Sequence, residues 1–155
     1  MMAATETGGP EEQLVAFKLG EEIYGLDIAL IHEIIRWREI TAIPRAASEI
    51  EGVINLRGKI VPVVDLSRRM GLPVSERGNA TRIIVAETID STVGLIVDSV
   101  VGVLRIPQAS IEPPAPLVAS LDADAIRGIG KISDMLVILL NMDRALQGRV
   151  LGVRC

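Results

Sequence analysis

The chain has 155 residues and a formal net charge of −4, and 49% of its residues are hydrophobic but only 2% aromatic. This length allows one domain or two very small ones, and a core of Val, Ile and Leu favours strands. The negative charge argues against a general nucleic-acid-binding protein, and the single cysteine, Cys155, excludes an intramolecular disulfide and agrees with a reducing compartment.

The N-terminal residues carry no targeting signal. Residues 1–12 lack a basic region followed by an apolar one, so we expect a disordered lead and not a secretory signal. No apolar run reaches the roughly 18 to 20 residues that span a bilayer. We therefore expect a cytoplasmic globular domain at 13–146, a C-terminal tail at 147–155, and no direct insertion into a membrane.

Alternating apolar residues and turn residues predict five strands in the first half of the chain. The predicted strands are 14–19, 23–28, a segment at about 33–37 that continues a short helix capped by Asp27, 53–56 and 60–64. The pair Arg57-Gly58 is predicted to form a hairpin turn, because glycine adopts positive φ without strain. Pro62 has no amide donor, so its strand is expected at a sheet edge, at a bulge or with this position facing outward. Asp65 is predicted to cap a short helix at 66–70.

A similar series of predicted strands follows a polar linker at 72–80. The predicted strands of this second half are 81–87, 92–97, 100–106, 129–132 and 135–140. Asn141 is predicted to cap a last short helix at 142–146. Residues 107–116 hold four of the eight prolines and are expected to form an extended surface segment.

The two halves are related by an internal repeat. At an offset of 69 residues Gly25 corresponds to Gly94, and at an offset of 76 residues Asp65 corresponds to Asn141; the extra seven residues fall in the proline-rich segment. We therefore predict two related halves, about 13–80 and 81–146, that build two small barrels, either interleaved or sequential. Because such a half is marginal alone, the barrels should share buried surface, and their junction should form a groove for a partner.

No set of residues points to catalysis or to a metal. His32 is the only histidine and lies among isoleucines, so it is expected at the surface or rim and not as a general base. One histidine and one cysteine cannot build a zinc site, and the acidic residues lack the spacing of a calcium loop. Gly58-Lys59 and Gly130-Lys131 lack the rest of a phosphate-loop motif. We predict no enzymatic activity and no cofactor.

Arg57 is the most conspicuous candidate for a binding residue. It is either a solvated turn arginine or a planar donor fork that a rigid hairpin presents to a partner carboxylate. The segment at 31–36 leaves similar alternatives open, since its isoleucines can be core or interface residues and Glu33 can be merely solvated.

Several stretches match a known pattern. They are Phe17-Lys18-Leu19-Gly20, Tyr24-Gly25-Leu26-Asp27-Ile28, Glu33-Ile34-Ile35-Arg36, Gly52-Val53-Ile54-Asn55-Leu56-Arg57-Gly58, Val61-Pro62-Val63-Val64-Asp65-Leu66 and Ile111-Glu112-Pro113-Pro114. Together they resemble the CheW family of chemotaxis coupling proteins, over nearly the whole chain from about Gln13 to Leu146. The Asn-Leu-Arg-Gly hairpin followed by Val-Pro-Val-Val-Asp-Leu is the most specific part of the resemblance.

The resemblance implies an all-β fold with short helices, in which two five-stranded SH3-like barrels pack around a shared hydrophobic region. It also implies a non-catalytic adaptor between the cytoplasmic hairpin tip of membrane chemoreceptors and the regulatory domain of a CheA-type histidine kinase. The expected location is then the inner face of the membrane, within receptor arrays. In this family the groove between the barrels takes the receptor hairpin and the barrel ends dock onto the kinase.

The resemblance also suggests site residues. By motif position, the receptor-facing set comprises Ile31, Glu33, Arg57, Gly52 and Asn55. For the kinase-facing surface we expect exposed strand residues of the second half, namely Val93, Val97 and Val101.

Two alternatives remain open at the level of sequence. The first is an adaptor of the same fold in another kinase pathway, such as surface motility or gene regulation. The second is a small-ligand-binding or phosphate-binding β-barrel protein with Lys59 and Lys131 as anion contacts, which would require a closed polar pocket.

Overall fold

The fold is seen in a computed structural model, which describes residues 10–44, 50–89, 91–113 and 125–146. Residues 1–9 of the N-terminal segment predicted at 1–12 and all of the predicted tail at 147–155 lie outside these residues. Within them, no helix is long and apolar enough to cross a membrane.

Eleven strands and two short helices form in the described part of the chain. The strands are β1 (Glu11–Leu19), β2 (Glu22–Asp27), β3 (Ile31–Arg36), β4 (Ile50–Leu56), β5 (Lys59–Asp65), β6 (Arg82–Glu87), β7 (Thr92–Val97), β8 (Ser99–Pro107), β9 (Ile111–Glu112), β10 (Ile126–Ile132) and β11 (Met135–Leu140). The helices are α1 (Leu66–Arg69) and α2 (Met142–Leu146). Each strand except β9 overlaps a predicted strand.

The strands form two sheets, and each sheet combines both halves of the sequence. The six-stranded sheet has the order β8-β1-β2-β11-β10-β9, and the five-stranded sheet has the order β3-β6-β7-β5-β4. The hairpin β1–β2 thus completes the sheet of the second half, and the hairpin β6–β7 completes the sheet of the first half. The two halves exchange their first hairpins within one chain.

The repeat in the sequence is also present in the strand registers. In the parallel pair of β5 and β7, Val63 lies opposite Gly94, and in the parallel pair of β11 and β2, Leu139 lies opposite Gly25. The offsets of 69 and 76 residues relate these two pairs to each other. Residues that correspond in the repeat therefore pair in the same way in both barrels, as expected for a duplicated fold.

Each sheet buries one face inside its own barrel and the other against its neighbour. The interior of the five-stranded barrel contains Ile54, Leu56, Val61, Val63, Ile83, Val85 and Ile96. The interior of the six-stranded barrel contains Leu14, Ile106, Val137 and Leu139. A third and larger cluster joins both sheets and both helices, with Phe17, Tyr24, Val64, Leu66, Leu95, Leu140 and Met142 among its members. The predicted all-β fold with two barrels around a shared hydrophobic region is confirmed.

The predicted caps of the two helices are confirmed. The Asp65 carboxylate accepts a hydrogen bond from the Arg68 amide at 3.2 Å, and the Asn141 side chain accepts one from the Arg144 amide at 3.2 Å. Asp27 accepts a hydrogen bond from the Ala29 amide at 2.9 Å, but the helix predicted to follow it is a single 3₁₀ turn before β3.

Pro62 lies in an interior strand, so the sheet edge, one of the three placements expected for it, is wrong. β5 runs between β7 and β4, and Pro62 lies opposite Val53 of β4. Val53 directs its amide and carbonyl to Thr41, on the side away from β5, with both distances 2.9 Å. The pair of Val53 and Pro62 therefore needs no donor from the proline, and the pairing with β7 starts only at the next residue, Val63.

Candidate protein-binding site

The turn between β4 and β5 presents Arg57 at its tip. Arg57 has φ of 53° and Gly58 has φ of 86°, and a two-residue loop with positive φ at both positions has the backbone of a type I′ turn. The side-chain oxygen of Asn55 accepts a hydrogen bond from the Gly58 amide at 2.8 Å. This bond fixes the turn from within, so the direction of the arginine is set by the hairpin.

Arg57 forms an ion pair with Glu33 of β3. Its Nη2 atom donates a hydrogen bond to Oε2 of Glu33. The Arg57 side chain is 70% exposed, whereas Glu33 is 28% exposed. The guanidinium is therefore held by one partly buried carboxylate while most of its surface and its remaining donors face solvent.

A segment that crosses from β3 to β4 supports the hairpin from below. This crossing segment comprises residues 37–41, and its Thr41 pairs with Val53 through two backbone hydrogen bonds of 2.9 Å. Nη1 of Arg38 donates to the carbonyl oxygen of Asn55 at 2.8 Å. Gly52 has φ of 151°, and a Cβ there would collide with the Thr41 carbonyl, so only glycine lets the segment approach this closely.

The N-terminal part of β3 places two further residues beside this site. Ile31 is partly buried and packs against the shared core. His32 lies at a bulge, and its Nε2 atom is 2.9 Å from Oε2 of Glu87 on β6, with both side chains more than half exposed. His32 is thus a surface residue, as its neighbours in the sequence indicated.

Most of the expected receptor-facing residues lie together. Glu33, Arg57, Asn55 and Gly52 form one connected set through the hairpin and the crossing segment. Ile31 lies on the same strand as Glu33, on the other side of the bulge.

The expectation that Val93, Val97 and Val101 are exposed on the kinase-facing surface is wrong for the exposure of the first two. Val93 and Val97 are both 0% exposed and belong to the shared core. β7 is a central strand, and its run of apolar residues is covered on both faces, which is typical of strands that are buried on two sides. Val101 on β8 is 46% exposed and is available to a partner.

The structure does not support a convergent anion site at the two lysines. Lys59 lies in β5 of the five-stranded sheet and donates to Thr92 at 3.1 Å, whereas Lys131 lies in β10 of the other sheet. Lys59 lines a cavity of about 470 Å³ together with Glu87, Thr88, Ser91 and Thr92 and the apolar Ile60, Pro62 and Ile89, but Lys131 does not line it. Among the described residues, no group of three acidic, histidine or cysteine side chains could hold a metal ion.

Arg38 and Thr41 are the residues that sequence reasoning missed. Both form hydrogen bonds with backbone atoms of β4. Such contacts depend on the path of the chain between β3 and β4, which no sequence pattern specifies. A signal was present in Gly52, because a glycine in a strand often marks a close approach of another backbone.

Comparisons with known proteins agree with this geometry. Residues 13–150 match the family model of the CheW-like domain. The chain is 34% identical over 137 residues to the chemotaxis protein CheW of Rhizobium meliloti, covering 88% of each chain. It is also 34% identical over 140 residues to the protein FrzA of Myxococcus xanthus, covering 89% of this chain and 87% of that protein.

A solved structure gives the same result. The scaffolding protein TtCheW of Thermoanaerobacter tengcongensis is 41% identical in sequence and superposes with a TM-score of 0.83. The match covers 89% of this chain and 94% of that one.

Two barrels with a shared core and an exposed, preorganised ion pair define a class of protein, a scaffold that recognises other proteins. The chain belongs to the CheW-like family. The predicted class of function, a chemotaxis coupling adaptor, is confirmed by these relatives.

Proposed function

We propose that this protein joins the cytoplasmic hairpin tip of membrane chemoreceptors to the regulatory domain of a CheA-type histidine kinase. It does so without catalysis of its own, at the inner face of the membrane within receptor arrays. The receptor-facing surface is the hairpin site around Arg57 and Glu33, with Ile31, Asn55 and Gly52.

The observation that carries this proposal is the conformation of Arg57. Its φ of 53° lies in the left-handed region, where a residue other than glycine costs about 1 kcal/mol or more. The guanidinium in its ion pair with Glu33 is 70% exposed, and pairs open to solvent contribute about 0 to 1 kcal/mol. The fold alone gains little from an arginine here, so its exposed donors are best explained by a carboxylate on a partner.

The shared core suits the transmission of a signal between two partners. A receptor hairpin would lay its apolar ridges into a groove between the barrels, which is the helix-in-groove mode of recognition. Charged side chains at the rim would then fix register and partner choice more than affinity. Because both barrels pack on one core, a displacement at one surface would move the other surface with it.

The kinase-facing surface is assigned to residues that the fold leaves exposed. Val101 keeps its role in the proposal. Leu136, which lies beside the tip of the β10–β11 hairpin, is 60% exposed. A large apolar side chain at this barrel end is suited to docking onto a domain of the same fold.

The similarity to FrzA supports a second candidate, an adaptor of the same fold in a different kinase pathway. The proposed surfaces are the same in that case, and only the identity of the receptor and the kinase changes. Reconstitution with the kinases encoded beside the gene would separate the two candidates.

Charge reversal at Arg57 tests the receptor-facing surface. We expect Arg57→Glu to fold normally and to lose co-sedimentation with receptor-bearing vesicles. Lys131→Glu is the matched control, because it makes the same change of charge on an exposed residue of the other sheet. If Lys131→Glu abolishes function and Arg57→Glu does not, the anion-binding alternative gains support and the adaptor site is misplaced.

A double variant separates the fold from recognition. Glu33→Arg combined with Arg57→Glu keeps an ion pair at this position with its charges exchanged. If Arg57 acts on the partner, the double variant stays defective in receptor binding. Recovery of binding by the double variant would show that the pair only maintains the barrel.

A further inference from the structure

We infer that Arg38 is a positioning residue for the receptor-facing hairpin, acting through Asn55 on Arg57. This inference rests on the proposed function of that hairpin. Neither sequence motif nor family resemblance singled out Arg38, and its role follows from contacts on either side of β4.

Arg38 bonds to the residue whose side chain holds the hairpin turn, Asn55. Its guanidinium donates to the carbonyl of Asn55 at 2.8 Å, and the side chain of the same Asn55 accepts the Gly58 amide at 2.8 Å. Asn55 thus has its backbone held from one direction while its side chain holds the turn. Arg57 lies between these two residues in sequence, so its backbone direction depends on both bonds.

The segment that carries Arg38 is anchored at both of its ends. The preceding residue, Trp37, packs against the barrel interior, and the guanidinium carbon of Arg77 lies 5.2 Å from the centroid of its ring. Arg77 in turn donates to the buried carboxylate of Asp65 at 2.7 Å. At the other end of the crossing segment, Thr41 is paired with Val53. Both ends of the segment are therefore anchored, and Arg38 reaches from a rigid support.

Arg38 is not needed to complete the fold. The carbonyl of Asn55 lies at an exposed position where water could satisfy it, so the fold does not require a cationic donor there. Arg38 also leaves Glu33 to Arg57. Its bond to Asn55 therefore acts on the orientation of the hairpin and, through the hairpin, on Arg57.

The test is a double-variant cycle in a receptor-coupled kinase assay. The adaptor concentration that gives half-maximal kinase activation is measured for Arg38→Ala, Arg57→Ala and the combination, with the intact chain throughout. We expect Arg38→Ala to raise this concentration about three- to tenfold, which corresponds to about 0.7 to 1.4 kcal/mol, the net contribution of one ordinary hydrogen bond at an exposed position. In the Arg57→Ala background the same change should have no further effect.

Two further variants make the test specific. Arg38→Lys keeps a charged donor and should restore most of the coupling. Arg82→Ala removes another arginine that donates to backbone carbonyls, at 2.7 Å to Asn79 and 2.9 Å to Thr81, away from the hairpin, and should leave coupling unchanged. An equal loss in Arg82→Ala would show that general destabilisation is the cause and would overturn the inference.

Hydrogen exchange gives a readout that does not depend on the receptor. If Arg38 positions the hairpin, Arg38→Ala should speed exchange of the Gly58 amide while the melting temperature stays nearly constant. An unchanged Gly58 exchange rate, or an Arg38→Ala effect that persists in the Arg57→Ala background, overturns the inference. If Arg57→Ala itself has no effect on coupling, the proposed receptor site fails, and the exchange measurement alone decides on Arg38.

Discussion

Arg57 donates a hydrogen bond to Glu33 across the gap between the two edge strands of the five-stranded sheet. β3 and β4 do not form a ladder, and in the described chain one isolated bridge, between Thr41 and Val53, joins the crossing segment to β4. The ion pair therefore closes the barrel and orients an exposed guanidinium at the same time. Its value to the fold is small compared with the cost of the left-handed backbone at Arg57, and this difference is the basis for the proposal that Arg57 also contacts a partner.

Arg57→Gly should reduce receptor coupling with little change in the free energy of unfolding. The change relieves the left-handed backbone by about 1 kcal/mol and removes an exposed ion pair of at most a similar value, so the free energy of unfolding should change by less than about 1 kcal/mol. Receptor coupling should fall sharply. Ser133, also with φ of 53° at the equivalent hairpin of the other barrel, provides the control. Ser133→Gly should gain stability and keep full coupling; a matching loss of coupling in both variants would contradict the assignment of Arg57.

Gly52→Ala should be strongly destabilising. The new Cβ would meet the carbonyl of Thr41, and that backbone cannot move without breaking its two bonds to Val53. We expect a loss of about 3 kcal/mol or more in chemical unfolding. Gly78→Ala is the control, because a Cβ there meets nothing within 4 Å, and it should change stability by less than about 1 kcal/mol. Similar losses for the two variants would mean that the close approach at Gly52 is not what holds the crossing segment.

Glu12 should make the stability depend on pH. Hydrogen bonds from Arg127, at 2.7 and 3.1 Å, hold the pKa of the Glu12 carboxyl below its ordinary value of 4.5, against the opposing effect of burial. A depressed carboxyl pKa stabilises the folded state above the unfolded pKa. This contribution is lost as the pH falls from about 4.5 through the lower, folded value.

The measurement is urea unfolding of the parent chain and Glu12→Gln between pH 7 and pH 3. We expect the parent to be more stable by about 1 kcal/mol at pH 7, with the difference becoming smaller toward the acid end. Glu76→Gln, at an exposed site between α1 and β6, is the control for the loss of one negative charge. A constant difference across the whole range would contradict the role given to the Glu12–Arg127 pair.

Val97→Ala and Val101→Ala should differ in their effect on the free energy of unfolding. Val97 is fully buried in the shared core, so Val97→Ala should lower the free energy of unfolding by about 1 to 3 kcal/mol. Val101→Ala, at a half-exposed site on β8, should cost less than about 0.5 kcal/mol. If Val101→Ala also reduces binding to the isolated kinase regulatory domain, β8 is part of the kinase-facing surface; unchanged binding would remove it.

The strands were largely predictable because their signals are local. Turn residues such as Gly20 and the Arg57-Gly58 pair, together with apolar runs between them, place all strands except β9. β9 has two residues and exists because β10 offers a partner, with Glu112 opposite Ile129. No local propensity could specify such a strand, and the sequence alone indicated only an extended segment there.

The exchange of hairpins between the halves could not be decided from the repeat. Self-similarity shows that β1 corresponds to β6 and β2 to β7, but it does not show in which copy each hairpin pairs. The misplacement of Val93 and Val97 has a related cause. Their exposure depends on a second sheet packing against β7, and this contact lies far away in sequence. Arg38 was missed for the same reason, since its partner is a backbone carbonyl of another strand.

A reconstitution decides whether this chain couples receptors to a kinase. Receptor-bearing membranes and the CheA-type kinase of the same organism are combined with and without the protein, and kinase autophosphorylation is measured. We expect a large, receptor-dependent rise in kinase activity when the protein is present. No change in activity with a well-folded protein would contradict it and would direct attention to the kinase of another pathway.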